Sequence, residues 1–174
     1  MARDIISLDD LTVNNVGVFK KINQVVLPTT YSEEWYKESL EADQIVKLAF
    51  YSELPVGAVK AKTINSSHKI VSYENMQQQQ INSKIIPNAI YIESLAVLKA
   101  YRGLGIGKKL LQFIIEQSKT RFVHEILLHV HVDNTESIEW YEKQGFTKSQ
   151  DIIKDYYKAQ GLENPDAYIL SLTV

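Results

Sequence analysis

The fold is decided by the stretch Tyr101-Arg102-Gly103-Leu104-Gly105-Ile106-Gly107-Lys108-Lys109, which lies between a predicted strand and a strongly amphipathic predicted helix. Glycines let a backbone approach a ligand closely, and the amides of a helix's first turn lack intrahelical partners, so they point outward as an anion site. Arg102, Lys108 and Lys109 add mobile positive charge. The stretch therefore predicts a turn that binds a pyrophosphate, against the alternative of a tight strand-to-helix turn that binds nothing.

Two other glycine-rich motifs fit this stretch less well. A phosphate-binding P-loop needs Ser or Thr directly after its lysine, but Lys108 is followed by Lys109. A dinucleotide-binding G-x-G-x-x-G motif that begins at Gly103 meets Lys108 where its last glycine should stand. Kinase-like and NAD-like interpretations are therefore disfavoured.

Hydrophobic periodicity on either side of the glycine stretch predicts the remaining elements. We predict helices near 16–27, from Thr30 or Ser32 to 40, at 106–121 and at 135–144, and strands at 5–8, 45–51, 56–64, 89–97, 125–132, 146–153 and 167–174. Strand 89–97, helix 106–121 and strand 125–132 predict a parallel crossover. The fold class is α+β, with a mixed central sheet of about seven strands and about four helices on its two faces.

Composition limits the class of protein. A chain of 174 residues with 45% hydrophobic and 23% charged residues fits one domain over residues 1–174, with a polar insertion at about 65–88. A net charge of −2 gives no global attraction for nucleic acid or an anionic membrane. The absence of cysteine excludes thiolate chemistry. The first residues indicate neither a signal peptide nor a transit peptide, so we expect a cytoplasmic or nuclear protein.

The glycine stretch resembles the Arg-x-x-Gly-x-Gly signature of the GNAT acetyltransferase superfamily, as Arg102, Gly105 and Gly107. The resemblance implies acetyl-CoA as co-substrate, without a metal. It also implies that its pyrophosphate meets Arg102, Gly103, Leu104, Gly105, Ile106, Gly107 and Lys108. The strand end Leu95-Ala96-Val97 would pair with the pantetheine arm.

A closer resemblance is to the NatE-type N-alpha-acetyltransferase catalytic subunits, the San family. It is carried by five stretches: Asn23-Gln24-Val25-Val26-Leu27-Pro28, Leu54-Pro55-Val56-Gly57-Ala58-Val59, Tyr101 to Gly107, Leu128-His129-Val130 and Asp155-Tyr156-Tyr157-Lys158. The predicted insertion is longer than the usual connection in that family. The resemblance implies transfer of acetyl groups to polypeptide N-termini. It also implies the auxiliary and catalytic NatA subunits and the ribosome as partners.

Catalytic roles follow from the same resemblance. Tyr91 and His129 correspond to the pair that removes the amine proton through an ordered water, and the Leu95 amide would meet the oxyanion. Tyr141 corresponds to the tyrosine near the thioester sulfur, with Asn134 as a second cofactor contact. Each residue also has a structural alternative, because Tyr91 can be an ordinary strand tyrosine, Tyr141 a core residue and Asn134 a helix cap.

The substrate walls are two aromatic segments. By resemblance, Leu27, Pro28, Thr29 and Tyr31 form one wall of the peptide groove, and Tyr156 and Tyr157 form the other. Apolar walls of this kind suit an initiator Met followed by a hydrophobic residue. The alternative is that these aromatic residues only pack two loops.

Three other functions stay open at this point. His129, His131 and Asp133 are predicted to alternate on one strand face and spell H-x-H-x-D, a spacing used by hydrolytic metal sites, although further ligands are scarce. A catalytically weak acyl-CoA-binding subunit is a second alternative. A GNAT enzyme that acts on lysine or small amines is the third, but a lysine amine is much less often neutral at pH 7 than an α-amine.

Overall fold

A computed structural model describes residues 5–65, 86–150, 152–160 and 165–174. The predicted polar insertion at 65–88 lies almost entirely outside the described residues. At its edges, the side chain of Asn65 donates a hydrogen bond to the carbonyl of Ile86 at 2.6 Å, and the Asn88 amide donates to the carbonyl of Ile64 at 2.9 Å.

The predicted order of strands and helices is confirmed. The strands are β1 (Ile6–Asp10), β2 (Ile45–Tyr51), β3 (Leu54–Ile64), β4 (Ala89–Val97), β5 (Glu125–His131), β6 (Thr147–Lys148) and β7 (Ala167–Thr173). The α-helices are α1 (Val16–Val26), α2 (Glu33–Glu38), α3 (Ile106–Thr120) and α4 (Thr135–Lys143), with short 3-10 turns at Lys99–Tyr101 and Lys158–Gln160. Within the described residues, no helix is both long enough and apolar enough to cross a membrane.

The strands form one mixed sheet in the order β1-β2-β3-β4-β5-β7-β6. Strand β2 pairs antiparallel with β1 and β3, and β7 pairs antiparallel with β5 and β6. Strands β4 and β5 run parallel, with Tyr91 opposite Leu127 as the last pair of their shared ladder. The predicted parallel crossover through α3 is therefore confirmed, and so is the α+β class with a seven-stranded sheet and four helices.

The described chain divides into two compact units, and the prediction of a single domain stays a prediction. The first unit comprises Met1–Lys62 and Ser94–Ile114. Its core is built by α1, whose Phe19 and Ile22 recur at helical spacing and are buried against Leu48 and Ala58 of the strands. The ring of Phe19 stacks on Trp35 with centroids 5.7 Å apart, which fixes α2 on this core.

The second unit comprises Thr63–Glu93 and Ile115–Val174. Its core cluster joins Ile64, Ala89, Tyr91, Leu127 and Ile169 from four strands. Strand β5 lies between β4 and β7 and is therefore hydrogen-bonded on both edges. A strand in this position can hold a polar side chain in a fixed orientation.

Of the two predicted starts of α2, the structure has Ser32 as the cap, because its hydroxyl accepts a hydrogen bond from the Trp35 amide at 3.1 Å. Other predicted boundaries differ from the structure. The hairpin turn is shorter than predicted, because Ser52 takes a left-handed conformation at φ 57° and the β3 ladder already starts at Leu54. The strand predicted at 146–153 is reduced to Thr147–Lys148 and an isolated bridge at Ile153. In its ladder the hydroxyl of Ser149, rather than a carbonyl, accepts from an amide of β7 at 3.1 Å.

Candidate active site

The glycine turn has the backbone geometry of an anion site. Gly103 and Gly105 have φ angles of +80° and +87°, in the left-handed region that favours glycine. Helix α3 begins at Ile106, and its first backbone bond runs from the Lys109 amide to the Gly105 carbonyl at 3.0 Å. The amides of Ile106, Gly107 and Lys108 therefore belong to the first helical turn, whose N–H groups point out of the helix. A phosphate fits this arrangement.

The positive charges near the turn are less mobile than predicted. Arg102 is exposed, but its Nε donates a hydrogen bond to the Val97 carbonyl at 3.1 Å and so ties the turn to the end of β4. Lys109 donates from its Nζ to the Ile6 carbonyl at 2.7 Å. Both contacts satisfy strand carbonyls, which the sequence did not indicate. Lys108 is exposed, as expected for a lysine that meets a ligand.

The end of β4 is closely packed on its β3 side. Ala96 and Val97 are buried, and Leu95 is half-buried. A Cβ added to Gly57 would lie 2.9 Å from the Ala96 carbonyl oxygen, so glycine is required there for the strands to approach. The predicted pairing of Leu95-Ala96-Val97 with pantetheine, and the role of the Leu95 amide, stay predictions.

Three side chains of the second unit form a cluster, named here the tyrosine–histidine cluster: Tyr91, His129 and Tyr156. The Tyr91 hydroxyl lies 2.8 Å from His129 Nδ1 and 2.9 Å from the Tyr156 hydroxyl. The Tyr156 ring stacks on the His129 imidazole with centroids 3.9 Å apart and an interplanar angle of 8°. The structure thus joins the two predicted catalytic residues directly and adds a third residue to them.

The fold explains why these residues meet. Tyr91 is paired with Leu127 across the parallel strands, and His129 follows Leu127 by two positions, which brings it to the same face of β5. Tyr156 comes from the segment before β7, which turns at Asp155 with φ 60° and is held by a bond from the Tyr157 amide to the Pro165 carbonyl at 2.7 Å.

Tyr156 was predicted only as a wall of the peptide groove, so its contact with Tyr91 was missed. The two tyrosines are 65 residues apart, and no local pattern connects them. The pKa of Tyr156 is raised to about 12, mainly by desolvation; the hydrogen bond with Tyr91 lowers it, and the charge of Glu93 raises it. Tyr156 is therefore a neutral phenol at pH 7, able to donate and accept hydrogen bonds.

The two residues predicted to lie near the thioester are Asn134, at the N-terminal cap of α4, and Tyr141, within α4. Tyr141 is buried against Phe146, with ring centroids 5.3 Å apart, and burial raises its pKa, so its hydroxyl keeps its proton. Asn134 caps α4, because its Oδ1 accepts from the Ser137 amide at 3.2 Å. The structural alternatives for both residues are therefore correct, and their contacts with a cofactor stay predictions.

The predicted substrate residues other than Pro28 contact residues of their own unit. In the first unit, Tyr31 stacks on Trp35 at 3.9 Å and accepts a hydrogen bond from the Thr29 hydroxyl at 3.3 Å. Leu27 packs on the core and Pro28 is exposed. In the second unit, Tyr157 packs edge-on against Tyr156 at 4.8 Å. The structure shows that these aromatic residues pack against neighbouring residues, and peptide binding by them stays a prediction.

The H-x-H-x-D stretch does not lie on one strand face as predicted. Strand β5 ends at His131, and Asp133 lies in the following turn, where its amide donates to His131 Nδ1 at 3.3 Å. Within the part of the chain that the structure describes, no three His, Asp or Glu side chains are grouped as a metal site would require. The described geometry therefore gives the hydrolase alternative no ligand set.

Comparisons with known proteins identify the family of this chain. The acetyltransferase (GNAT) family profile matches residues 18–146. The chain is 35% identical to the probable N-acetyltransferase san of Drosophila melanogaster, over 100% of this chain and 84% of the relative. It is 32% identical to N-alpha-acetyltransferase 50 of Danio rerio, over 95% of this chain and 86% of the relative.

Solved structures give the same assignment. Naa50 of Arabidopsis thaliana, in complex with the bisubstrate analogue CoA-Ac-MVNAL, superposes with a TM-score of 0.78 at 30% identity, covering 98% of this chain and 100% of that one. These similarities extend over nearly the whole chain rather than over the glycine turn alone. The chain therefore belongs to the GNAT acetyltransferase family and, within it, to the group of the san and N-alpha-acetyltransferase 50 proteins.

Proposed function

We propose that the protein transfers the acetyl group of acetyl-CoA to the α-amino group of polypeptides, with preference for Met followed by a hydrophobic residue. The observation that carries the proposal is the tyrosine–histidine cluster, in which a hydroxyl and an imidazole are in contact at 2.8 Å. Family membership supports the reaction type. The peptide part of the analogue bound to the plant relative begins with Met-Val, which supports the preference.

The cluster supplies the proton acceptor that the reaction needs. An α-ammonium group has a pKa of about 8 and must lose a proton before its nitrogen can attack the thioester carbonyl. Tyr91 and His129 take this proton through a bridging water, because together they offer a hydroxyl and a ring nitrogen in one hydrogen-bonded unit. The mild basicity of such a pair suits an α-amine better than the more basic amine of lysine.

Other residues of this chain act on the acetyl donor. The first-turn amides of α3 and the exposed Lys108 bind the pyrophosphate, and Arg102 keeps the turn in place. The Leu95 amide donates to the carbonyl oxygen as negative charge develops on it. The hydroxyl of Tyr141, which burial keeps protonated, donates a hydrogen bond to the sulfur of the departing thiolate.

The resemblance to NatE-type subunits supports a proposal about the partners of the protein and about where in the cell it acts. We propose that the protein works with the auxiliary and catalytic subunits of NatA at the ribosome, in the cytoplasm, and that a fraction is nuclear. Sedimentation of tagged protein with ribosomes, before and after removal of the auxiliary subunit, tests this. Sedimentation that does not depend on the auxiliary subunit contradicts the proposed complex.

A comparison of four peptides tests the activity. Otherwise identical peptides that begin with Met-Leu, Ser-Glu and Met-Lys are incubated with acetyl-CoA, together with an N-terminally blocked peptide that carries an internal lysine. We expect Met-Leu to react fastest, because burial of a Met-sized side chain contributes about 1.5–3 kcal/mol. Fastest reaction of the blocked peptide contradicts the α-amine claim, and a preference for Ser-Glu contradicts the Met pocket. Acetyl-CoA binding without reaction of any peptide would identify a non-catalytic subunit.

A further inference from the structure

A carboxylate lies beside the tyrosine–histidine cluster. Glu93 follows Tyr91 by two positions on β4, and alternate residues of a strand project to the same face of the sheet. The side chain is half-buried, and its Oε2 atom is shielded from solvent. The carboxylate also acts electrostatically on the Tyr156 hydroxyl. Strand geometry and this interaction are independent, and both direct Glu93 toward the cluster.

The two hydroxyls and the imidazole that make up the tyrosine–histidine cluster are not groups that ordinarily carry negative charge at neutral pH. At neutral pH most polypeptide N-termini arrive as α-ammonium groups, which carry a full positive charge and three N–H donors. Neutral hydroxyls bind such a group weakly, whereas a carboxylate accepts a charge-assisted hydrogen bond from it. Partial burial strengthens this attraction, because solvent screens it less than it screens an exposed pair.

A carboxylate is ordinarily a weaker base than an imidazole, so Glu93 is not a better proton acceptor than the Tyr91–His129 pair. Carboxylates are weaker bases than amines by several pKa units, so transfer of the proton to a carboxylate is unfavourable in the ground state. A carboxylate next to an ammonium therefore stabilises the charged form and holds it in place. Removal of the proton is left to Tyr91 and His129, which lie in direct contact.

We propose that Glu93 is the recognition residue for the α-ammonium group of the acceptor polypeptide, which it holds beside Tyr91 and His129 before deprotonation. This inference rests on the proposed function, because it assigns recognition of the acceptor amine of that reaction to Glu93. It predicts that Glu93 contributes to peptide affinity and to the choice of acceptor more than to the rate of the chemical step.

Peptide binding tests the inference without turnover. The affinity of a Met-Leu peptide and of its desamino analogue, which lacks only the α-nitrogen, is measured by calorimetry in the presence of CoA, which carries no acetyl group. We expect the wild-type enzyme to bind the amine peptide about tenfold or more tightly than the analogue. In Glu93→Gln this ratio should fall to about threefold or less, since the charge-assisted bond is lost. Glu93→Asp, which keeps the charge, should retain a clear preference.

Steady-state kinetics give a second readout. Glu93→Gln should raise KM for the Met-Leu peptide about tenfold while kcat changes by less than about threefold. The matched control is Glu116→Gln, which removes one charge from an exposed position on α3 and should change neither value.

An unchanged affinity ratio in Glu93→Gln overturns the inference, and so does a fall in kcat with unchanged KM, which would make Glu93 a proton acceptor. If Glu93→Gln does not fold, a ratio near one in the wild type or in Glu93→Asp overturns it equally. Absence of α-amine acetylation by the wild-type enzyme overturns the proposed function itself, and this is seen before any variant is made.

Discussion

Replacement of Tyr91 by Phe removes a single oxygen that makes two hydrogen bonds, to His129 at 2.8 Å and to Tyr156 at 2.9 Å. The ring is 2% exposed and belongs to the core of the second unit, so Phe preserves its packing. Each hydrogen bond contributes about 0.5–1.5 kcal/mol, which gives a loss of about 1–3 kcal/mol in the free energy of unfolding. For a chain of this size, each kcal/mol lowers Tm by about 2–4 °C.

The effect on catalysis should exceed the effect on stability. Removal of a general base typically lowers the rate by 10²–10⁴, and a water that reaches His129 directly can compensate part of this. We therefore expect Tyr91→Phe to lower kcat at least about tenfold, with acetyl-CoA binding unchanged. His129→Ala should do the same when tested separately.

The assay follows CoA release with a thiol reagent and a Met-Leu peptide, at a temperature well below the Tm of both variants. Tyr51→Phe is the matched control, because its ring lies on β2 in the first unit and is assigned no part in the reaction. Near-normal kcat in both Tyr91→Phe and His129→Ala would refute the assignment of the cluster as proton acceptor, even if Tyr91→Phe lost about 1–3 kcal/mol of stability.

Three further predictions concern the glycine residues and the buried tyrosines. Gly105→Val should abolish acetyl-CoA binding in calorimetry without unfolding the domain, because a side chain at φ +87° costs about 1–2 kcal/mol and crowds the anion site. The control is Gly17→Ala, where a Cβ meets open space within α1, and this variant should not weaken binding. Gly57→Ala should lower the free energy of unfolding by about 1–3 kcal/mol in urea, because its Cβ would lie 2.9 Å from a β4 carbonyl; no change would show that the strands can separate without cost. The pKa of Tyr156 is raised from 10.0 to about 12, and that of Tyr141 is raised as well, so the unfolded chain releases these protons first. Stability should therefore be complete below pH 10 and fall as pH rises toward 12, and Tyr156→Phe should reduce this fall; the same pH dependence in both proteins would contradict the assignment.

Local patterns in the sequence predict most of the fold. Strand 89–97 was predicted at its observed bounds, and α3 and β5 to within one residue, because long apolar periodicity and the glycine turn leave little freedom. The sequence was less informative where a side chain replaces a backbone group. The Ser149 hydroxyl takes the place of a carbonyl in the β6–β7 ladder, which no strand propensity indicates.

The site could be predicted only in part, because some of its contacts depend on residues that are distant in the sequence. Tyr91 and His129 were predicted from the family resemblance alone, and the structure joins them. The approach of Tyr156 depends on a turn at Asp155 and on a bond from Tyr157 to the distant Pro165, which are tertiary features. The electrostatic effect of Glu93 on Tyr156 depends on that approach.

The most direct test of the central claim is acetylation of a peptide library with acetyl-CoA, with the modified atom located by fragment mass spectrometry. Library members vary in their first two residues, carry one internal lysine and are present at equal concentrations. We expect the acetyl group on the α-nitrogen, first on peptides that begin with Met and a hydrophobic residue, and we expect Tyr91→Phe to lower all rates together. Acetylation mainly on the internal lysine would contradict the assignment of the α-amine as acceptor.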